Sequence, residues 1–271
     1  MKLFLHVCAY VLILYSTLVL YLTLFQRRFI YYPEKSPKNL LIQRAGTLGL
    51  KPWYYSGNLI GWHKPAENPP SARVLICGGN AGSAINRFHL TTILEKASDQ
   101  KLDTYILEYP GYGSRPGQPN EKTLTSAALE AAILIREISP PLPLILVGES
   151  LGTGVVCSVA QKLTPPPSGL LLITPFDNLV SAAKIHYPFL PVGFLLQDKY
   201  KSDEAIKNFR GRIAILLASE DTITPPHLGR KLASATQAPT FVVEIPNTGH
   251  NDILQNTPPE IMDKIIEFLF Q

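Results

Sequence analysis

Residues 142–147, Leu-Pro-Leu-Ile-Leu-Val, form an unbroken apolar run that leads directly into Gly148-Glu149-Ser150-Leu151-Gly152, and residues 153–163 continue with helical spacing. A strand without alternation of polar and apolar residues is covered on both faces, the habit of a central parallel strand. At such a junction a G-x-S-x-G sequence demands a very tight strand-to-helix turn. Side chains two positions either side of the serine would clash there, so glycine stands at 148 and 152. The turn exposes Ser150 above the sheet, and the N-terminus of the following helix favours developing negative charge. The pattern alone occurs by chance; the strand before it and the helix after it give it weight over a Gly/Ser-rich turn without chemistry.

The rest of the chain alternates in the same way. Strand-like runs fall at residues 73–77, 104–108, 170–174, 213–218 and 240–245. Helix-like spacing falls at 86–100, 121–138 and 259–270. This alternation predicts an α/β domain with a mostly parallel central sheet and helices on both faces. The rhythm breaks at 176–209, an irregular and partly helical insertion, and Phe29-Ile30-Tyr31-Tyr32-Pro33 reads as a short extended stretch.

Ahead of this domain, Leu3 to Phe25 carries no formal charge other than that of a protonated His6 and is followed by Gln26-Arg27-Arg28. As a helix it would be roughly 35 Å long, against a hydrocarbon core of about 30 Å. It has no good small-x-small cleavage site and no polar face, which favours an uncleaved single-pass anchor over a signal peptide or a surface helix. The expected organisation is therefore an anchor over residues 1–28 and one domain over 29–271. Lys2 and the amino terminus flank one side, and Arg27, Arg28, Lys35 and Lys38 the other, a charge difference that points to a cytoplasmic domain. The segment also accounts for part of the 46% hydrophobic content. The net charge of +4 is scattered, with no basic stripe interleaved with aromatics, so nucleic acid is not an expected partner. Cys8, Cys77 and Cys157 are too few and too dispersed for a disulfide framework, and no metal-binding spacing occurs, so no metal is expected.

Serine needs a base to take its proton. Of six histidines, His6 lies in the apolar segment, His63 and His89 precede the serine, His186 lies in the insertion and His227 opens a helix. His250 follows the 240–245 strand in Asn247-Thr248-Gly249-His250-Asn251-Asp252, where a base can reach back over the sheet edge. An acid must hold that imidazole. Asp221, after the 213–218 strand, lies between Ser150 and His250 in the chain; Asp177, after the preceding strand, is its competitor. The oxyanion of the transition state needs two N–H donors. Leu151 supplies one, and the loop Gly78-Gly79-Asn80-Ala81-Gly82 the other, from Asn80 or alternatively Ala81.

These stretches, with Glu108-Tyr109-Pro110-Gly111-Tyr112-Gly113, Pro175-Phe176-Asp177 and Tyr187-Pro188-Phe189-Leu190-Pro191, give a chain that resembles the α/β-hydrolase family, and in particular its single-pass, membrane-anchored branch of ABHD-type serine hydrolases. The resemblance implies the Ser150–Asp221–His250 triad, the oxyanion loop, and a cap over the site at 176–209. One departure stands out: relatives usually carry His-Gly-Asn where this chain has Gly78-Gly79-Asn80. The expected activity is hydrolysis of an acyl ester or thioester through an acyl-enzyme, with no cofactor, near a lipid bilayer that makes lipid or acylated-protein substrates accessible. A serine peptidase on the same fold and a non-catalytic, membrane-anchored interaction protein are the alternatives.

Overall fold

The computed structural model describes residues 1–97 and 101–271. The chain opens with α1 (Lys2–Ile30), then β1 (Tyr32–Pro33), α2 (Lys38–Thr47), β2 (Lys51–Tyr55), β3 (Asn58–Lys64), β4 (Ala72–Cys77) and β5 (Ala81–Gly82). It continues with α3 (Phe88–Lys96), β6 (Leu102–Leu107), α4 (Glu121–Arg136), β7 (Leu144–Glu149), α5 (Leu151–Lys162) and β8 (Gly169–Ile173). Three short helices follow, α6 (Leu179–His186), α7 (Val192–Leu195) and α8 (Ser202–Ile206). The last elements are β9 (Arg212–Ala218), α9 (Pro226–Ala233), β10 (Thr240–Ile245), α10 (Ile253–Asn256) and α11 (Pro259–Phe270).

Eight strands form one sheet in the order β10-β9-β8-β7-β4-β6-β3-β2, parallel throughout except where β3 pairs with β2 and β6. Apolar runs rather than alternation suit strands buried on both faces. In β9, Ile213, Ile215 and Leu217 face one core with Leu124 and Ala128 of α4, Val155 and Val159 of α5, and Leu232 of α9. Ala214, Leu216 and Ala218 face the other, with Leu90 of α3 and Ile265 and Leu269 of α11. The chain passes from β4 outward to β6 and then returns to the other side of β4 at β7. This reversal opens a crevice at the carboxyl ends of β4 and β7, the position where open α/β sheets bind ligands.

Helix α1 has 29 residues and a mean hydropathy of 2.2 over its most apolar window, long and apolar enough to cross a membrane. The hydroxyls of Thr17 and Thr23 donate to Ile13 O and Val19 O, so these two side chains are satisfied within the helix. Its carboxyl end is packed on the domain. Gln26 donates to Leu195 O and accepts from Gln197 N, while Arg27 and Tyr31 both donate to Asp198. Tyr15 donates to Phe189 O, further back along the helix.

The expected strands and helices recur with ends shifted by up to two residues, except at three places. Helix α1 runs unbroken to Ile30, so Phe29 and Ile30 are helical and only Tyr32–Pro33 is extended, pairing with β5. The helical spacing at 86–100 becomes a 3-10 turn at Ala84–Arg87 and then α3, while residues 98–100 lie outside the described residues. The α2 helix and the β2–β3 hairpin, which the hydrophobic rhythm does not predict, add the antiparallel edge of the sheet.

Candidate active site

Strand β7 ends at Glu149 and α5 begins at Leu151, leaving Ser150 alone between them at φ 51° and ψ −116°. A positive φ at a non-glycine residue is strained, and it persists only where the surroundings impose it. The glycines on either side show what imposes it. A Cβ on Gly148 would lie 2.6 Å from Gly152 O, and one on Gly152 would run into Cys77 O. Strand β4 and helix α5 therefore approach at backbone distance, with the serine at the apex.

Ser150 Oγ lies 2.9 Å from His250 Nε2, and His250 Nδ1 lies 2.6 Å from Asp221 Oδ2. Asp221 is buried, and its Oδ1 accepts from the N–H groups of Ile223 and Thr224, both at 2.8 Å. Thr224 Oγ1 stands 3.0 Å from both Asp221 Oδ2 and Thr174 O, so its single proton serves one of them. Two backbone bonds, Ser219 N to Ile245 O and Glu220 N to Thr248 O, tie the loop of Asp221 to that of His250. An imidazole with its proton on Nδ1 would donate to Asp221 and accept from Ser150, a geometry able to relay one proton to and from the serine.

Asp177 stands apart from this line. Its buried carboxylate accepts from Asn178 Nδ2, Ser181 Oγ and Lys231 Nζ. His63 faces Asp103, and His89 bonds to Asn86 O. His227 lies in the first turn of α9. His186, in the insertion, bonds to Ile223 O and lines the cavity described below.

The loop after β4 packs beside the serine. Asn80 is held at both ends: its Nδ2 donates to Ile30 O, the last carbonyl of α1, and its own carbonyl accepts from Tyr32 N and the Tyr112 hydroxyl. Tyr109 donates to Gly78 O. Arg87 lies over the glycines, with its Nε 2.9 Å from Glu149 Oε2 and its Nη1 3.0 Å from Ala81 O. A Cβ on Gly78 would sit 3.1 Å from that Nε, a tight contact that Arg87 would have to shift to relieve. Leu151 N is in the first turn of α5, where N–H groups have no intrahelical acceptor. Spacing in the sequence does not single out Arg87, Tyr109, Tyr112 or Thr224. Tyr109 and Tyr112 carry the signal of membership of the motif Glu108–Gly113, Thr224 stands three residues after Asp221, and Arg87 falls in none of the quoted motifs.

Ser150, Leu151 and Asn80 open onto a cavity of about 350 Å³, in the range of ligand pockets. Its walls are mostly apolar: Phe176, Leu179, Ala182, Ala183, Leu190, Val192 and Leu195 from the β8–β9 insertion, Ile223 beside Asp221, and Leu22, Phe29 and Ile30 from α1. Among the described residues no cluster of His, Cys, Asp or Glu could hold a metal ion.

No family model matches the chain. An uncharacterised protein of Mycobacterium tuberculosis is 30% identical over 272 residues, covering 96% of this chain and 90% of that one. Lysophosphatidylserine lipase ABHD12 of Danio rerio is 31% identical over 187 residues, covering 63% of this chain. The chain spans 49% of that lipase, about half its length. Est1E of Butyrivibrio proteoclasticus, solved with bound ferulic acid, superposes with a TM-score of 0.63 at 14% identity, over 78% of this chain and 95% of that one. With this strand order and these neighbours the chain has the α/β-hydrolase fold and belongs to one family with the Mycobacterium tuberculosis protein, and over part of its length it is similar to an ABHD-type lipase.

Proposed function

We propose that this protein is a serine hydrolase that cleaves an ester or thioester of an apolar acyl chain at a membrane. The observation that carries this reading is the hydrogen-bonded line from Ser150 through His250 to Asp221 at one end of an apolar cavity. Ser150 Oγ attacks the carbonyl carbon, and its proton passes to His250 Nε2, while Asp221 holds the imidazole and stabilises its charged form. The backbone N–H groups of Leu151 and Asn80 receive the oxyanion. His250 then returns the proton to the departing alcohol or thiol. Water attacks the acyl-enzyme and gives its proton to His250, which hands it back to Ser150 Oγ as the acid leaves. No step calls for a cofactor.

In this reading residues 1–28 anchor the protein, 29–271 form the catalytic domain, and 176–209 cap the site. The apolar lining favours an acyl chain over a peptide, and a lipase among the relatives supports the same substrate class. Arg27 and Arg28 at the end of α1 favour a cytoplasmic domain.

A fluorophosphonate probe applied to the detergent-solubilised protein tests this. Labelling is expected on the parent protein and absent from folded Ser150→Ala. Parent protein that is folded and takes no label overturns the reading.

A further inference from the structure

One wall of the cavity is the long apolar helix itself. The residues of α1 that the domain shields are Val19, Leu22, Thr23, Gln26 and Ile30, while the rest of the helix is exposed. The spacings of three, one, three and four put them on a single helical stripe. All but Val19 line the cavity. At one end of the stripe, Ile30 O is bonded to Asn80, the neighbour of Ser150 in the cavity wall. Leu22 is eight residues back, about 12 Å farther along the helix.

The polar groups of the stripe are already engaged. The Thr23 hydroxyl donates to Val19 O. The Gln26 amide donates to Thr23 O and Leu195 O and accepts from Gln197 N. What this wall offers a ligand is hydrocarbon over its whole length. The opposite side of the same turns, Leu24 for example at 68% exposure, faces outward to where lipid would lie.

We infer that α1 is a substrate-binding element as well as a membrane segment: the acyl chain lies along its inward stripe, with the carbonyl end at Ser150 and the methyl end toward Leu22. Chain-length preference is then set by residues of the membrane helix. A chain leaving the bilayer follows the helix into the cavity without crossing water. The inference rests on the ester-hydrolase reading above.

The test compares full-length Leu22→Trp and Leu24→Trp, in lipid nanodiscs, on p-nitrophenyl butyrate and p-nitrophenyl palmitate, with fluorophosphonate labelling of Ser150 run alongside. Filling the far end of an apolar site discriminates by chain length, so the palmitate-to-butyrate ratio of kcat/KM falls about tenfold or more in Leu22→Trp. Leu24→Trp, on the outward side of the helix, keeps the parent ratio. An unchanged ratio in labelled, active Leu22→Trp overturns the inference, as does an equal fall in both variants. Parent protein that takes no label and hydrolyses neither ester overturns the hydrolase reading instead, and the two failures are distinguishable.

Discussion

Arg87 shows how a site can depart from its family's sequence and still be braced. Position 78 has no side chain, and the guanidinium of Arg87 fills the space there, paired with Glu149 immediately before the serine and bonded to Ala81 O. One planar, multidentate group thus joins the loop after β4 to the turn after β7. Arg87→Ala is expected to lower kcat by about 10- to 100-fold with little change in KM, less than the ~10²–10³ of losing an oxyanion donor outright. Steady-state kinetics on a short ester would show the split. At this scale the sequence was legible where residue type and chain order carry the information. Ser150, Asp221 and His250 could be picked out because their order along the chain matches the order a nucleophile, acid and base would need, and their side chains stand in one hydrogen-bonded line. Arg87 and Thr224 could not, because what they do depends on where a guanidinium or hydroxyl ends up in space.

Among the elements, periodicity succeeded where a strand or helix is buried on a regular face and failed where another signal was present but weaker. The β2–β3 hairpin turns through Ser56 and Gly57, at φ 46° and 77°, and this pair of left-handed residues is a two-residue hairpin signature. Its flanking Tyr54, Tyr55 and Asn58 are exposed, so the hydrophobic pattern gave no warning. The carboxyl end of α1 was harder to read. Phe29 and Ile30 look extended beside Tyr31, Tyr32 and Pro33, yet they complete the helix because Asn80 caps its last carbonyl. The joint between α1 and the β8–β9 insertion centres on Asp198, which is buried and accepts from both Arg27 and Tyr31. Asp198→Ala removes the shared acceptor and is expected to cost about 1–3 kcal/mol. Limited proteolysis would detect the loosened joint as faster cleavage within residues 190–200.

For the whole molecule, Glu108 ties stability to pH. Burial pushes its carboxyl up to about 7 from an ordinary 4.5, opposed by the Ala84 N–H that donates to Oε1. Its Oε2 is buried with no hydrogen-bond partner among the described residues, next to Gly113, where a Cβ would collide with it. Between those two values the folded chain retains a proton that the unfolded chain has released. Stability from this group is therefore full below about pH 4.5, falls as pH rises through 7, and the loss is on the order of 3 kcal/mol. Glu108→Gln should flatten the dependence of melting temperature on pH between 5 and 8, with the variant's advantage largest at pH 8; parallel melting curves in detergent would contradict this.

The bond from Asn80 to Ile30 O also bears on how the molecule sits. The last helical carbonyl is held by the loop that packs beside the serine, and β1 pairs with β5 two residues later, so no slack chain separates the long helix from the domain. The domain cannot swivel beneath it as a balloon turns on its string. The helix acts as a keel: whatever orients it also fixes the direction in which the mouth of the cavity points.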